Sequence, residues 1–413
     1  MTDLTAPSFL DAVRPEAREA PESGIVEVYN YGRGRQGLIP LWVGEGDLPT
    51  PSFIADAARA SLDKGETFYT WQRGVPELRA AIAAYMTRVY GAPFSGAGAF
   101  TPDRFFVTAG GMHAIQIALR LACGTGDEVI LPTPAWPNFQ GALIASGARA
   151  RPAPMRRLPD AEGRAGRGKW TLDLELIESL ITPATRAIVI NSPSNPTGWT
   201  ATSAELAATL ALARRHGLWI VADEIYGRFF YDGARAPSFH DHMEEGDRVL
   251  FVQTMSKNWA MTGWRLGWIE APPQLGQAIE NLIQYSSSGS PVFNQRAATA
   301  ALDHGDAFVE ESKARAALSR ATLADALRAT GRVDFAEPDG AFYLYAHVEG
   351  FDDTRKLALR LVDEAGVGVA PGTAFGEGGA PYLRLCYARD PRDVAEVAAR
   401  LTRWLTSASG ARP

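Results

Sequence analysis

The sequence predicts an α/β fold: a large three-layer αβα domain around a mostly parallel sheet, followed by a smaller α+β domain. Three observations predict it. From Phe105 onward, short apolar runs alternate with longer helical patterns, as in a sheet covered on both faces. Beyond Pro291 the texture shifts to long amphipathic helices and short strands, which marks a second unit. At 413 residues the chain also exceeds one minimal domain.

In chain order, the first forty residues mix Pro, Gly and charge with little period, and read as an arm. Residues 105–108 read as a strand and 112–122 as a helix; 127–131 is a strand and 136–146 a helix. Further strands fall at 186–190, 218–222 and 249–253, each bounded by turn residues, with a helix at 206–215. The segment 156–169, rich in Gly, Arg and Asp, reads as a surface excursion, and its pair Arg156-Arg157 as solvated loop. In the second unit 394–405 is the clearest helix, and strands lie near 341–345 and 382–385. The expected division is an arm at 1–45 packing with the small domain, a large domain at 46–285 and a small domain at 286–413. No internal repeat or low-complexity tract interrupts it.

Hydrophobic residues at 46%, charged residues at 21% and a formal net charge of −6 fit a soluble enzyme and argue against a nucleic-acid or anionic-membrane surface. Cys123 and Cys386 are the only cysteines and lack metal-ligand spacing, which points to a reducing compartment. The N-terminus from Met1 to Pro15 has no apolar core of signal-peptide length, and no window is apolar enough to span a bilayer. The expectation is a soluble, cytoplasmic protein.

Gly32-Arg33-Gly34-Arg35-Gln36-Gly37 matches G-x-G-x-x-G, yet Leu38-Ile39-Pro40-Leu41-Trp42 after it is extended. A dinucleotide fingerprint needs a strand before and a helix after, so this stretch reads as a basic turn.

The lysines are Lys64, Lys169, Lys257, Lys313 and Lys356, four of them in polar contexts. Lys257 instead follows the apolar strand ending in Phe251-Val252-Gln253 and precedes Asn258-Trp259-Ala260-Met261. A lysine so placed is poised to lose its proton and attack a carbonyl, although taken alone it reads better as a snorkelling surface lysine, and its neighbours decide otherwise. Thr254, Ser256 and Arg265 offer two hydroxyls and a fixed cation suited to a phosphate dianion. Thr108-Ala109-Gly110-Gly111-Met112 joins a strand to a helix, where backbone N–H groups can close on an anion.

Asn191-Ser192-Pro193-Ser194-Asn195-Pro196-Thr197-Gly198, Ala222-Asp223-Glu224-Ile225-Tyr226, Ser256-Lys257 with Arg265, and Leu383-Arg384-Leu385 together resemble the class I/II aminotransferases of the aspartate-aminotransferase fold, fold type I. Order and spacing match from about Leu41 to Ala388. The resemblance implies pyridoxal 5'-phosphate held by Lys257 as a Schiff base, with Lys257 also moving the proton between substrate and cofactor. It implies Asp223 on the pyridine nitrogen, Asn195 and Tyr226 on the phenolic oxygen, and Trp136 stacked on the ring. Gly110, Gly111, Met112, Thr254, Ser256 and Arg265 match the phosphate cradle, and Tyr69 a tyrosine that reaches the neighbouring subunit's phosphate in a shared-site homodimer. Arg384 and the backbone of Gly44 match the grip on the substrate α-carboxylate. Cis peptide bonds are implied at Thr133–Pro134 and Asn195–Pro196. Individually, Asn195 could be only a turn residue, Asp223 a strand-end cap, Trp136 a core aromatic, and His113 a helix residue with no chemical role.

Relatives that prefer dicarboxylates often carry lysine where Met112 stands, or an arginine in the loop matching Tyr285-Ser286-Ser287-Ser288-Gly289-Ser290; this sequence has neither. The expected donor is therefore a neutral or aromatic L-amino acid, with Arg33 and Arg35 left as sources of a distal cation. Gly46 stands where relatives often have proline. The resemblance implies ping-pong amino transfer to a 2-oxo acid, with a carbon–sulfur β-lyase of the same fold as the alternative. A DNA-binding regulator is disfavoured, because only about forty residues precede Leu41 and they hold no helix-turn-helix pattern.

Overall fold

The computed structural model describes residues 9–18, 22–92, 100–160 and 168–407. The stretch at Met1–Asp3 and the middle of the 156–169 excursion lie outside them. The strands, in chain order, begin with β1 (Ile39–Pro40), β2 (Phe105–Thr108), β3 (Glu128–Thr133), β4 (Arg149–Pro154) and β5 (Arg156–Leu158). Next come β6 (Lys169–Thr171), β7 (Thr185–Asn191), β8 (Trp219–Asp223), β9 (Val249–Thr254) and β10 (Gly267–Glu270). The last are β11 (Val333–Phe335), β12 (Tyr343–Val348), β13 (Val367–Gly368), β14 (Ala370–Pro371) and β15 (Tyr382–Cys386).

Seven strands form the large sheet in the order β2-β10-β9-β8-β7-β3-β4. Only β10 runs antiparallel to its neighbours, pairing with β2 and β9. The inner strands are apolar along their middles, as in 187–190, 220–222 and 249–252, because both faces are covered. In β9, Leu250 and Val252 enter one core, while Val249 and Phe251 enter the other. Each such fully buried side chain contributes about 2 kcal/mol. Asn191 at the end of β7 lies opposite Asp223 at the end of β8, and Asp223 lies opposite Val252 in β9. The carboxyl ends of the central strands therefore open on one edge, where α/β sheets bind ligands.

The second sheet, β11-β12-β15-β14, is antiparallel. Its helices include Asp306–Ala329 and Pro391–Thr406, which pack on each other. The helix Val292–His304 packs instead against Ser52–Asp63 and Pro76–Tyr90.

Several expectations need correcting. The arm contains a helix, Gly24–Gly32, that buries Val28; Ile25-Val26-Glu27-Val28-Tyr29 alternates in a way that hides a helical period. The G-x-G-x-x-G stretch follows this helix and precedes β1, the reverse of a dinucleotide turn. Arg156 and Arg157 are strand residues of the β5–β6 hairpin, paired with Asp173 at 2.5 Å and with Asp334. Lys313 is half-buried against Glu310. Trp136 precedes the helix Pro137–Ser146 as its N-cap. Both expected cis bonds are present, with a third at Ser192–Pro193. Among the described residues no helix is long and apolar enough to cross a membrane.

Candidate active site

A cavity of about 340 Å³ opens at the carboxyl edge of the large sheet, and Gly44, Trp136, Asn195, Asp223, Tyr226, Lys257 and Arg384 all line it. Elements far apart in sequence bring them there. Asp223 ends β8 and Arg384 lies in β15. Lys257 sits in the single helical turn Met255–Asn258 that follows β9.

Asp223 is 1% exposed. Its Oδ1 accepts the Ile225 N–H at 3.3 Å, whereas Oδ2 is buried with no partner. Burial pushes this carboxyl up to about 7, against the pull of the Ile225 N–H and of Lys257. A buried carboxylate oxygen without a donor costs free energy unless a cationic N–H meets it. A protonated pyridine nitrogen meets that need. Lys257 Nζ donates to the Gly44 carbonyl at 2.7 Å, and burial pushes its amine down to about 8. The amine therefore gives up its proton far more readily than an exposed lysine, and is mainly neutral only above about pH 8.

Arg384 is 2% exposed. One terminal nitrogen donates to Asn195 Oδ1 at 2.9 Å and the other to the Trp42 carbonyl, while Nε is buried without a partner. The rings of Tyr343 and Phe375 cover the guanidinium at 4.8 and 5.0 Å. Asn195 is fixed in turn, its N–H donating to Asn191 Oδ1 at 2.9 Å, and Asn191 Nδ2 donating to the Asp223 carbonyl at 3.1 Å. Trp136 meets Phe139 edge-on at 5.7 Å.

Beyond Lys257 lies an anion cradle. Gly110, with φ of 90°, is the N-cap of the helix Gly111–Ala122. A Cβ there would stand 2.7 Å from the Arg265 guanidinium, so glycine is required both by conformation and by this close approach. The first turn lies against Thr254, which a Cβ at Gly111 would approach to 3.4 Å, and the Thr254 hydroxyl donates to Ser256 Oγ at 2.9 Å. His113, expected to be chemically silent, holds this turn: its Nδ1 accepts the Ala109 N–H at 3.0 Å and its Nε2 contacts Ser286 Oγ at 2.8 Å.

Tyr69, expected at a neighbouring subunit's phosphate, does not line the cavity of its own chain, and neither does the Met112 side chain. Tyr69 is 95% exposed. The Met112 side chain turns toward Asn138, whose Nδ2 lies 3.6 Å from its sulfur, so only its backbone belongs to the helix N-terminus. Arg35 pairs with Asp363 and covers the Tyr31 ring, and neither Arg33 nor Arg35 lines the cavity. Residues the sequence reading missed include Tyr343, Trp42 and Asn191. Asn191 was in view as part of a motif, but nothing local marked the other two.

A sheet edge bearing a buried lysine, an aspartate with one buried oxygen unmet among the described residues and a glycine-lined anion cradle defines a pyridoxal-phosphate enzyme of fold type I. The chain belongs to the family aminotransferase class I and II, whose profile matches residues 37–401. It is 34% identical over 393 residues to an aspartate aminotransferase of Pyrococcus horikoshii, covering 93% of this chain and 94% of that one. To aromatic-amino-acid aminotransferase 2 of Thermococcus litoralis it is 30% identical, covering 93% and 95%. The crystal structure of an aspartate aminotransferase from Thermotoga maritima superposes with a TM-score of 0.84 at 30% identity, covering 96% of this chain and 100% of that one. The protein is a pyridoxal-phosphate-dependent aminotransferase, which moves an amino group between an amino acid and a 2-oxo acid.

Proposed function

We propose that the cavity carries out reversible transamination of a neutral or aromatic L-amino acid by a ping-pong route, with Lys257 as the covalent tether and proton carrier. The observation that carries this reading is the convergence of Lys257 Nζ, the unpartnered Asp223 Oδ2 and the unpartnered Arg384 Nε on one cavity. Bound there, pyridoxal phosphate supplies the carbonyl and the electron sink. Asp223 holds its proton-bearing ring nitrogen, Asn195 and Tyr226 hydrogen-bond its phenolic oxygen, and Trp136 covers its face. Gly110, Gly111, the backbone of Met112, Thr254, Ser256 and Arg265 receive its phosphate. Arg384 takes the substrate carboxylate in its planar fork, beside the backbone of Gly44. Lys257 Nζ, an amine of lowered basicity, would hold and move the substrate's α-proton.

The donor class rests on the cavity wall. Among the described residues its lining holds no cation besides Lys257 and Arg384, and Ile25, Val26 and Trp136 give it apolar surface. A second carboxylate on the donor finds no partner there in this chain. The relatives' names span aspartate and aromatic donors, so family membership leaves this choice to the wall.

A homodimer is part of the same proposal. Phe68, Tyr69, Trp71 and Tyr285 stand 83, 95, 60 and 85% exposed, an apolar surface of the kind a second copy covers. Tyr69 would then complete the partner's phosphate site. We also place the enzyme in the cytoplasm, and the working units at 1–45, 46–285 and 286–413, with the helix Val292–His304 returning to the large unit.

Single-turnover absorbance of the holoenzyme against a panel of amino acids, without oxo acid, tests the reading. Conversion to the pyridoxamine form with neutral or aromatic donors, reversed by an oxo acid, is expected. Steady pyruvate release without an acceptor would mean a lyase, and fastest conversion with aspartate would overturn the donor class. Sedimentation of the holoenzyme as a monomer would overturn the dimer.

A further inference from the structure

Tyr343 is fully buried at the start of β12, with its hydroxyl oxygen 2.7 Å from that of Tyr226. The two rings meet edge-on at 5.7 Å. The same Tyr343 ring lies under the Arg384 guanidinium at 4.8 Å. Its hydroxyl also fills the space above Gly44, where any Cβ would collide with it. One side chain therefore touches three parts of the site: the residue for the cofactor's phenolic oxygen, the residue for the substrate carboxylate, and the strap that receives the Lys257 amine.

The surroundings polarise the pair. Burial raises both hydroxyls and both feel Arg384 and Asp223, but on Tyr343 the Arg384 cation outweighs Cys386 and Asp223, whereas on Tyr226 the Asp223 carboxyl outweighs Arg384. Tyr343 is therefore the better donor of the two and Tyr226 the better acceptor. A Tyr226 oxygen that accepts from Tyr343 keeps its own proton free for another acceptor in the cavity. A hydroxyl that accepts one hydrogen bond also donates a stronger one.

We propose that Tyr343 is a positioning residue that donates to Tyr226 and so aims and strengthens the hydrogen bond from Tyr226 to the cofactor's phenolic oxygen. This rests on the placement of pyridoxal phosphate between Lys257 and Asp223. Drawing charge from the phenolic oxygen weakens its hold on a proton at the Lys257 nitrogen. The pH at which the bound cofactor loses that proton is therefore lower with Tyr343 than without it.

The experiment is a visible-absorbance pH titration of the holoenzyme in wild type, Tyr343→Phe, Tyr226→Phe and the double variant. Tyr343→Phe keeps the ring over Arg384 and removes one oxygen. Its midpoint is expected to rise by about half a unit, as fits loss of one supporting hydrogen bond in a short chain. In the Tyr226→Phe background the same change is expected to shift the midpoint little. An unchanged midpoint in Tyr343→Phe would overturn the proposal, as would equal shifts in both backgrounds, which would mean that Tyr343 acts without Tyr226. A Tyr343→Phe chain that loses its fold or its cofactor would also overturn it, since the hydroxyl would then be structural. A wild type that shows no titrating band with added cofactor would defeat the underlying placement instead.

Discussion

Lys257 Nζ and the carbonyl oxygen of Gly44 lie 2.7 Å apart across 213 positions of sequence. The amine is tethered to backbone, not to a carboxylate, so no formal charge at hydrogen-bond distance holds its proton. Burial then prevails and its pKa falls to about 8.

The rate of covalent attachment of pyridoxal phosphate to the apoenzyme should therefore rise with pH through about 8 and level off above it, because only the neutral amine attacks. Stopped-flow absorbance measures this. Lys257→Arg keeps the cation and should bind the cofactor without attaching it, leaving nothing to trap with borohydride. A rate that climbs steadily to pH 10 would contradict the lowered basicity.

Asp223 should make the apoenzyme sensitive to pH. Its folded-state value of about 7 lies above the unfolded value near 4, so the folded chain binds this proton more tightly. The resulting stability is full below about pH 4 and is lost as pH rises through about 7. Glu224, also raised to about 7 by burial, adds a similar share. Asp223→Asn should remove the first share and leave the second, giving an apoenzyme whose Tm falls less between pH 5.5 and 8. Identical slopes in the two proteins would contradict the assignment.

Arg384→Lys keeps the charge and loses the planar fork. It should lower kcat/KM for every amino acid by about a hundredfold, the scale of a charge-assisted bidentate contact. Cofactor absorbance should survive. Steady-state kinetics with two donors of different side chain would show whether the loss is uniform.

His113→Ala removes the acceptor for the Ala109 N–H and slackens the phosphate turn. Equilibrium dialysis should show about tenfold weaker cofactor binding, from an unmet buried donor costing ~1–3 kcal/mol. The same affinity as wild type would return His113 to the silent helix residue that its sequence position suggests.

Much of this site was legible before any coordinates. The apolar strands read at 218–222 and 249–253 announce themselves, and Thr254, Ser256 and Lys257 follow the second within a few residues, whereas Asp223 and Tyr226 are found through the resemblance. Asn195 and Arg384 came from motif resemblance, and the structure supplies the contact between them. Tyr343 escaped because Ala341-Phe342-Tyr343 reads as any strand start; its meaning comes from the pairing of β12 with β15, which sets Tyr345 opposite Arg384. Trp42 escaped because it acts through a carbonyl, which no side-chain pattern reports. Arg156 and Arg157 misled because their acids, Asp173 and Asp334, are 17 and 177 positions away. Tyr69, 95% exposed, makes no contact with the cavity of its own chain, so its expected role at a second copy stays with the resemblance.

The strap at residues 39–44 belongs mechanically to the smaller sheet. β1 pairs with β13, the Leu41 N–H reaches the Gly368 carbonyl at 2.6 Å, and the Cys386 N–H reaches the Leu41 carbonyl at 2.9 Å. Gly44 and Arg384 are thus two points of a single jaw, whose gauge is set by that sheet and not by the one carrying Lys257. In the role proposed for these two residues, a substrate's acid group would meet a grip whose width does not depend on the wall that carries Lys257.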